Sequence, residues 1–311
     1  MAPCFASRPR AFLDARILAC LVAGAIMGAC APARSAPLEA TPDGRRLTVT
    51  FVDDFDSFRP WNGASGVWRT TFRDGQADDD YDLRTLKWNK ELQLYVDPGM
   101  RAHPGEHNGV SDQAKGASAL AGRPLGLNPF SVRGGALHII TDRTPTRLQD
   151  QLGGFKYTSG LITSQPTFSQ TYGYFEMRAL LPAGKGIWPA FWLLPTDLDW
   201  PPEIDVMESV GDPAKVFVTA HSKAAKSTGT EVAVTPGEFH TYAVSWNRDL
   251  LIWYVDGREV RRQPTPVDMH KPMYLLANLA IGGDWAGAPD ETTPFPAHFV
   301  IDYIRAYRFA S

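Results

Sequence analysis

The sequence predicts an all-β protein, an antiparallel sandwich or barrel. Three observations carry this. Strand-length apolar runs recur along the chain, Gly, Pro and Asn punctuate them at close spacing, and helical periodicity is scarce.

The runs follow in order. They are residues 135–141 (GALHIIT), 161–163 (LIT), 173–180 (GYFEMRAL), 216–221 (VFVTAH), 240–246 (HTYAVSW), 250–255 (LLIWYV), 273–279 (MYLLANL) and 299–307 (FVIDYIRAY). Asp256-Gly257 lies between LLIWYV and REVRR, and Asp-Gly is the residue pair that a tight two-residue hairpin demands. Two stretches break the pattern. Residues 74–82 carry five aspartates without EF-hand spacing and read as a solvated loop. Residues 98–129 are polar, rich in Gly, Pro and Ala, and longer than an ordinary connection. No internal repeat and no nucleotide-binding βαβ pattern is present.

Composition narrows the class. The 311 residues are 44% hydrophobic with a formal net charge of −3, which excludes a disordered chain and offers no basic stripe for nucleic acid. Nine Trp, ten Tyr and sixteen Phe are a heavy aromatic load, suited to a core and to stacking on sugar rings. Cys4, Cys20 and Cys30 all precede residue 31, so no disulfide, thiolate metal site or catalytic thiol is expected beyond it. Residues 1–36 read as an export signal: Arg8, Arg10 and Arg16, then the apolar run 17–29, too short to span a bilayer. Met27-Gly28-Ala29-Cys30 resembles a lipobox, which would lipidate Cys30. Cleavage after Ala33 or Ala36 is the alternative. The expectation is an exported protein, periplasmic, secreted or lipid-anchored, monomeric, with a single domain over residues 37–311.

The sharpest local signal is Pro202-Glu203-Ile204-Asp205-Val206-Met207-Glu208. Three acids in an apolar strand need a reason, because buried carboxylates are costly. Residues two apart share a strand face, so Glu203 and Asp205 point the same way. Glu208 has the wrong parity unless a β-bulge at Val206 or Met207 restores it. Two carboxylates on one face are the apparatus of glycoside hydrolysis. A charged edge strand is the competing reading, and parity alone leaves both standing. An oxygen-ligated cation is a third. No Gly-x-Ser-x-Gly, Walker loop, Gly-x-Gly-x-x-Gly or His-Glu-x-x-His occurs.

Glu203-Ile204-Asp205-Val206-Met207-Glu208 resembles the Glu-x-Asp-x-x-Glu of the bulged branch of glycoside hydrolase family 16. Gly173-Tyr174-Phe175-Glu176-Met177-Arg178, Leu181-Pro182-Ala183-Gly184-Lys185-Gly186, Trp188-Pro189-Ala190-Phe191-Trp192-Leu193-Leu194-Pro195 and Ile301-Asp302-Tyr303-Ile304-Arg305-Ala306-Tyr307 are similar to the surrounding motifs of that family. The similarity runs from about Phe51 to Phe309. The resemblance implies an antiparallel β-jelly-roll sandwich of the concanavalin A type with a concave cleft. It implies retaining, endo-acting cleavage of a β-linked polysaccharide without a catalytic cofactor. Glu203 is then the nucleophile, Glu208 the acid/base and Asp205 the assisting acid. Asn89, Glu91, Arg178, Trp188, Trp192, His221, Asn278 and Trp285 are the implied substrate contacts. Asp302, with the acids at 53, 54 and 56, is the implied site of a structural calcium. Trp246 and Trp253 are assigned to the core, and the remaining histidines (103, 107, 138, 240, 270 and 298) are incidental.

Residues 68–97 look most like a branch of bacterial exopolysaccharide glycanases, except that Trp88 stands where that branch has glycine. A β-glucan or glucose-containing exopolysaccharide is the expected substrate. Agarase or carrageenase specificity, transglycosylation and a non-catalytic lectin are the alternatives.

Overall fold

A computed structural model of the chain describes residues 35–72, 81–101 and 123–310. The export-signal cysteines, the lipobox, the aspartates at 74–80, residues 102–122, His103 and His107 lie outside them.

Sixteen strands are present among the described residues: β1 (Leu47–Asp53), β2 (Gln93–Tyr95), β3 (Phe130–Arg133), β4 (Ala136–Arg143), β5 (Tyr157–Ser159), β6 (Leu161–Thr163), β7 (Gly173–Leu180), β8 (Ile187–Pro195), β9 (Glu203–Glu208), β10 (Lys215–His221), β11 (Thr228–Ala233), β12 (His240–Trp246), β13 (Leu250–Val255), β14 (Arg258–Pro264), β15 (Met273–Ile281) and β16 (Ala297–Phe309). Two one-turn helices, α1 (Thr146–Gln149) and α2 (Gly283–Ala286), join them. The strands form two sheets. The smaller has the order β11-β10-β9-β8-β15-β6, and the larger is built on β14-β13-β12-β7-β16-β4-β5-β2, with β1 on β16 and β3 on β4. Pairing is antiparallel except between β2 and β5. The architecture is the sandwich, not the barrel.

Period-two alternation explains the layering. On β8, Ile187, Phe191 and Leu193 enter the shared core, while Trp188, Ala190 and Trp192 face outward. On β15, Leu275, Ala277 and Leu279 face the core, and Tyr274, Leu276 and Asn278 face outward on the same side as Trp192. The larger sheet contributes Phe175, Met177, Phe299 and Ile301 from its inner face. Trp246 and Trp253 are fully buried, as the sequence assigned them. Each such side chain contributes roughly 1.5–3 kcal/mol of transfer free energy.

The hairpin at Asp256-Gly257 joins β13 to β14, and both residues take positive φ, 50° and 73°, as the primed turn requires. On the outer face of the larger sheet, Tyr174, Tyr254 and Tyr307 form an aromatic patch that Leu38 covers. The N-terminal segment is fixed there: the backbone N–H of Leu38 donates to the Tyr307 hydroxyl at 3.2 Å, and Arg305 donates to the Ser35 carbonyl at 2.9 Å.

Candidate active site

The acid-bearing strand β9 sits third in the smaller sheet, between β8 and β10. Its register shows the bulge that parity demanded. Ala190 and Phe191 of β8 pair with Glu208 and Met207, whereas Trp192 and Leu193 pair with Asp205 and Ile204. The register on β10 slips at the same point, between Phe217 opposite Glu208 and Thr219 opposite Asp205. The extra residue turns Val206 and Met207 both into the core and delivers Glu203, Asp205 and Glu208 to the outer face. There they line a cavity of about 700 Å³.

Each acid has its own partner. The Trp200 indole N–H donates to Glu203 Oε2 at 2.8 Å, and the Trp188 indole N–H to Glu208 Oε1 at 3.0 Å. His221 Nε2 lies 3.2 Å from Asp205 Oδ2 and 3.9 Å from Glu203 Oε1. Trp253, from the opposite sheet, donates to the Asp205 carbonyl at 2.9 Å and so ties the bulged strand to the core.

Three carboxyls this close resist simultaneous ionisation. Burial raises Glu203 well above the usual carboxylate range, and the Asp205 charge adds to this, with Trp200 and His221 opposing. Burial and then Glu208 raise Asp205. Burial, then the Glu203 charge, pushes Glu208 up to about 8, while the Trp188 bond pulls the other way. The site therefore holds protons near neutrality, which a general acid needs.

The flanking aromatics build the walls. Trp188 and Trp285 meet edge to face with centroids 5.4 Å apart, and Trp285 remains 45% exposed. Gly283 lets α2 approach this pair. Its φ is +93°, and a Cβ there would come within 3.1 Å of the Trp188 ring and 3.0 Å of the Asn89 carbonyl. Trp192 is largely buried and donates to Asn278 Oδ1 at 2.7 Å, while Asn278 donates to the Tyr95 hydroxyl at 2.9 Å. Asn278 is thus part of the floor, its amide engaged on both sides. Glu91 also lines the cavity but is buried, accepting from Gln93 at 2.7 Å and from Asn89 at 3.2 Å. Burial raises its carboxyl above the ordinary value against these bonds.

Of the expected contacts, Asn89, Glu91, Trp188, Trp192, His221, Asn278 and Trp285 line the cavity with the three acids. Arg178 does not. It belongs to β7 of the larger sheet, where the alternation that buries Met177 sends it to the far outer face. There it ion-pairs with Asp302 Oδ2 at 2.6 Å and covers the Phe239 ring at 4.7 Å. The same pair bears on the calcium expectation. Asp302 is fully buried against Arg178, Asp53 accepts from Trp68, and Asp54 binds Arg305. Among the described residues, the group with metal-ligand spacing is instead Glu203, Asp205 and His221, whose atoms face one another in the cleft.

Phe72, Trp88, Leu198 and Trp200 are among the lining residues that escaped the sequence reading as contacts. Trp88, noted only as a departure, is 68% exposed and lies beside Asn89. Trp200 had a signal: it precedes Glu203 by three residues, separated from it by two prolines that carry no N–H of their own.

The family model for glycosyl hydrolases family 16 matches residues 130–305. The chain is 40% identical over 266 residues to the endo-1,3-1,4-beta-glycanase ExsH of Rhizobium meliloti and 42% identical over 267 residues to the endo-1,3-1,4-beta-glycanase EglC of the same organism. Each alignment covers 84% of this chain and 52% of the relative. The chain thus spans about half the length of these two relatives. Among solved structures, it is similar to a variant of SCLam, a non-specific endo-beta-1,3(4)-glucanase of the same family crystallised with 1,3-beta-D-cellotriosyl-glucose. The TM-score is 0.65 at 29% identity, over 84% of this chain and 95% of that one.

Proposed function

This chain belongs to glycosyl hydrolase family 16, and we propose that it is an endo-acting, retaining glycosidase that cuts internal β-linkages of a β-glucan or glucose-containing exopolysaccharide. The observation that carries this reading is the bulge. It aligns Glu203, Asp205 and Glu208 along the floor of an open, aromatic-walled cleft, where a strand without it would bury Glu208's face. The names of the curated relatives support the polymer class.

In this mechanism Glu203 attacks the anomeric carbon while Glu208 protonates the departing glycosidic oxygen. Water, activated by the then-charged Glu208, releases the covalent intermediate. Asp205 and His221 orient Glu203 from one side, and Trp200 binds its other oxygen. Trp88, Trp188 and Trp285 offer ring faces for successive sugars. No metal or cofactor is assigned a step.

The reading extends to export. The N-terminal segment leaves on the outer face of the larger sheet, opposite the cleft. A lipid at Cys30, five residues before Ser35, would anchor the protein to a membrane.

The test is reducing-end release from laminarin, mixed-linkage glucan, succinoglycan, agarose and carrageenan, with Glu203→Gln as control. Cleavage of a glucan or succinoglycan that the variant loses is the expected result. Glycan binding without cleavage by both proteins would replace the enzyme with a lectin. Products longer than the substrate would make it a transglycosylase.

A further inference from the structure

The segment between β8 and β9 carries the group that touches Glu203 most closely from outside the acid strand. Trp200 lies in this segment, half exposed, with its ring on the cleft and its indole N–H on Glu203 Oε2 at 2.8 Å. Two cations from neighbouring connections hold the same segment. Lys271, just before β15, binds Asp197 at 2.8 Å and lies 3.7 Å from Asp199. Lys223, just after β10, binds the other Asp199 oxygen. Lys223 is in turn fixed by its backbone, since Asp268 accepts from the Lys223 N–H and from the Ser222 hydroxyl, both at 2.7 Å.

We propose that Trp200 is a positioning residue for Glu203, and that Lys223 and Lys271 latch the loop that presents it. The inference rests on the reading of Glu203 as nucleophile. The groups facing Glu203 make the role necessary. Asp205 and Glu208, on its own strand, oppose its charge, and His221 on β10 favours it from 3.9 Å, beyond hydrogen-bond reach. The indole N–H is the direct donor to its carboxylate. A donor to a carboxylate favours the charged form, and a nucleophile must be charged before it attacks. An indole keeps this bond while its ring faces sugar, which a lysine in its place would not do.

The latch is exposed. Single surface ion pairs contribute little, so its effect depends on three pairs acting together and weakens as salt screens them.

The test uses Trp200→Phe, which keeps the ring and removes the N–H. Glu203 is titrated directly by carboxyl-carbon NMR of glutamate-labelled protein, its signal assigned with Glu203→Gln. The same variants are run through a kcat/KM pH profile. In Trp200→Phe the Glu203 midpoint should rise by about one pH unit, a tenfold gain in proton affinity, with the acid limb of the profile moving the same way. The double variant Lys223→Met, Lys271→Met should shift both in the same direction by less, and wild-type protein in 1 M salt should follow it. An unmoved midpoint in Trp200→Phe, with only KM raised, would make Trp200 a sugar platform and overturn the proposal. An unmoved midpoint in the double lysine variant would overturn the latch. A midpoint that moves in a protein cutting none of the five polymers would retain the positioning role and count against the proposed function instead.

Discussion

The indole nitrogen of Trp188 lies 3.0 Å from Oε1 of Glu208, on a ring that also forms the wall of the cleft. One side chain thus binds sugar and adjusts the acid that attacks its linkage. The bond favours the charged form of Glu208 and so opposes the upward push of burial. Replacing Trp188 with Phe keeps the wall and removes the bond. Glu208 should then stay protonated to higher pH, and the alkaline limb of kcat/KM should move upward from about 8. A pH profile of the variant against wild type checks this.

Glu208 also links pH to stability. Its folded-state pKa is raised above the unfolded value. The native state therefore binds the extra proton, and this stabilising contribution is fully present below pH ~4.5 and lost as pH rises through about 8. Glu208→Gln never has to charge. Its melting temperature should match wild type near pH 5, exceed it increasingly from there to about pH 8, and keep that margin above it. Equal melting curves at both ends of that range would contradict the burial argument.

Arg178 and Asp302 test where the cleft ends. The pair lies on the far sheet, with Asp302 fully buried. Arg178→Met removes the cation paired with the buried Asp302 Oδ2. Because Arg178 is partly exposed, the expected loss of stability is about 2–4 kcal/mol by denaturant unfolding, at the lower end for such pairs. kcat/KM on polymer should stay within about twofold at temperatures where the variant is folded.

Trp88 should act on length. It is highly exposed and lines the cleft beside Asn89. Trp88→Ala should raise KM for polymer about tenfold, equivalent to ~1.4 kcal/mol of lost stacking, and leave short oligosaccharides unaffected. Kinetics against a chain-length ladder separates this from a folding defect, which would lower all lengths alike.

Much of the fold was legible because alternation is a local property. The runs at 173–180, 240–246 and 250–255 coincide with β7, β12 and β13. The need for a bulge between Asp205 and Glu208 also followed from parity, and the register places it there. The face of a strand was legible, but the sheet to which it belongs was not. Arg178 has the parity of a surface residue, and only the long-range pairing of β7 with β12 and β16 shows that its surface is the far one. Short strands such as β2 and β5 carry too few residues for a period to show. Trp200 was missed for a related reason: it lies on a connection, where side-chain direction follows no repeat.

The central claim is that Glu203 forms a covalent glycosyl intermediate that Glu208 helps to make and break. Glu208→Ala with an activated aryl β-glycoside, in the presence and absence of azide, tests it most directly. The account predicts a slow variant, azide-dependent recovery of turnover, and a β-glycosyl azide as product by NMR. An α-glycosyl azide, or full activity without azide, would contradict it.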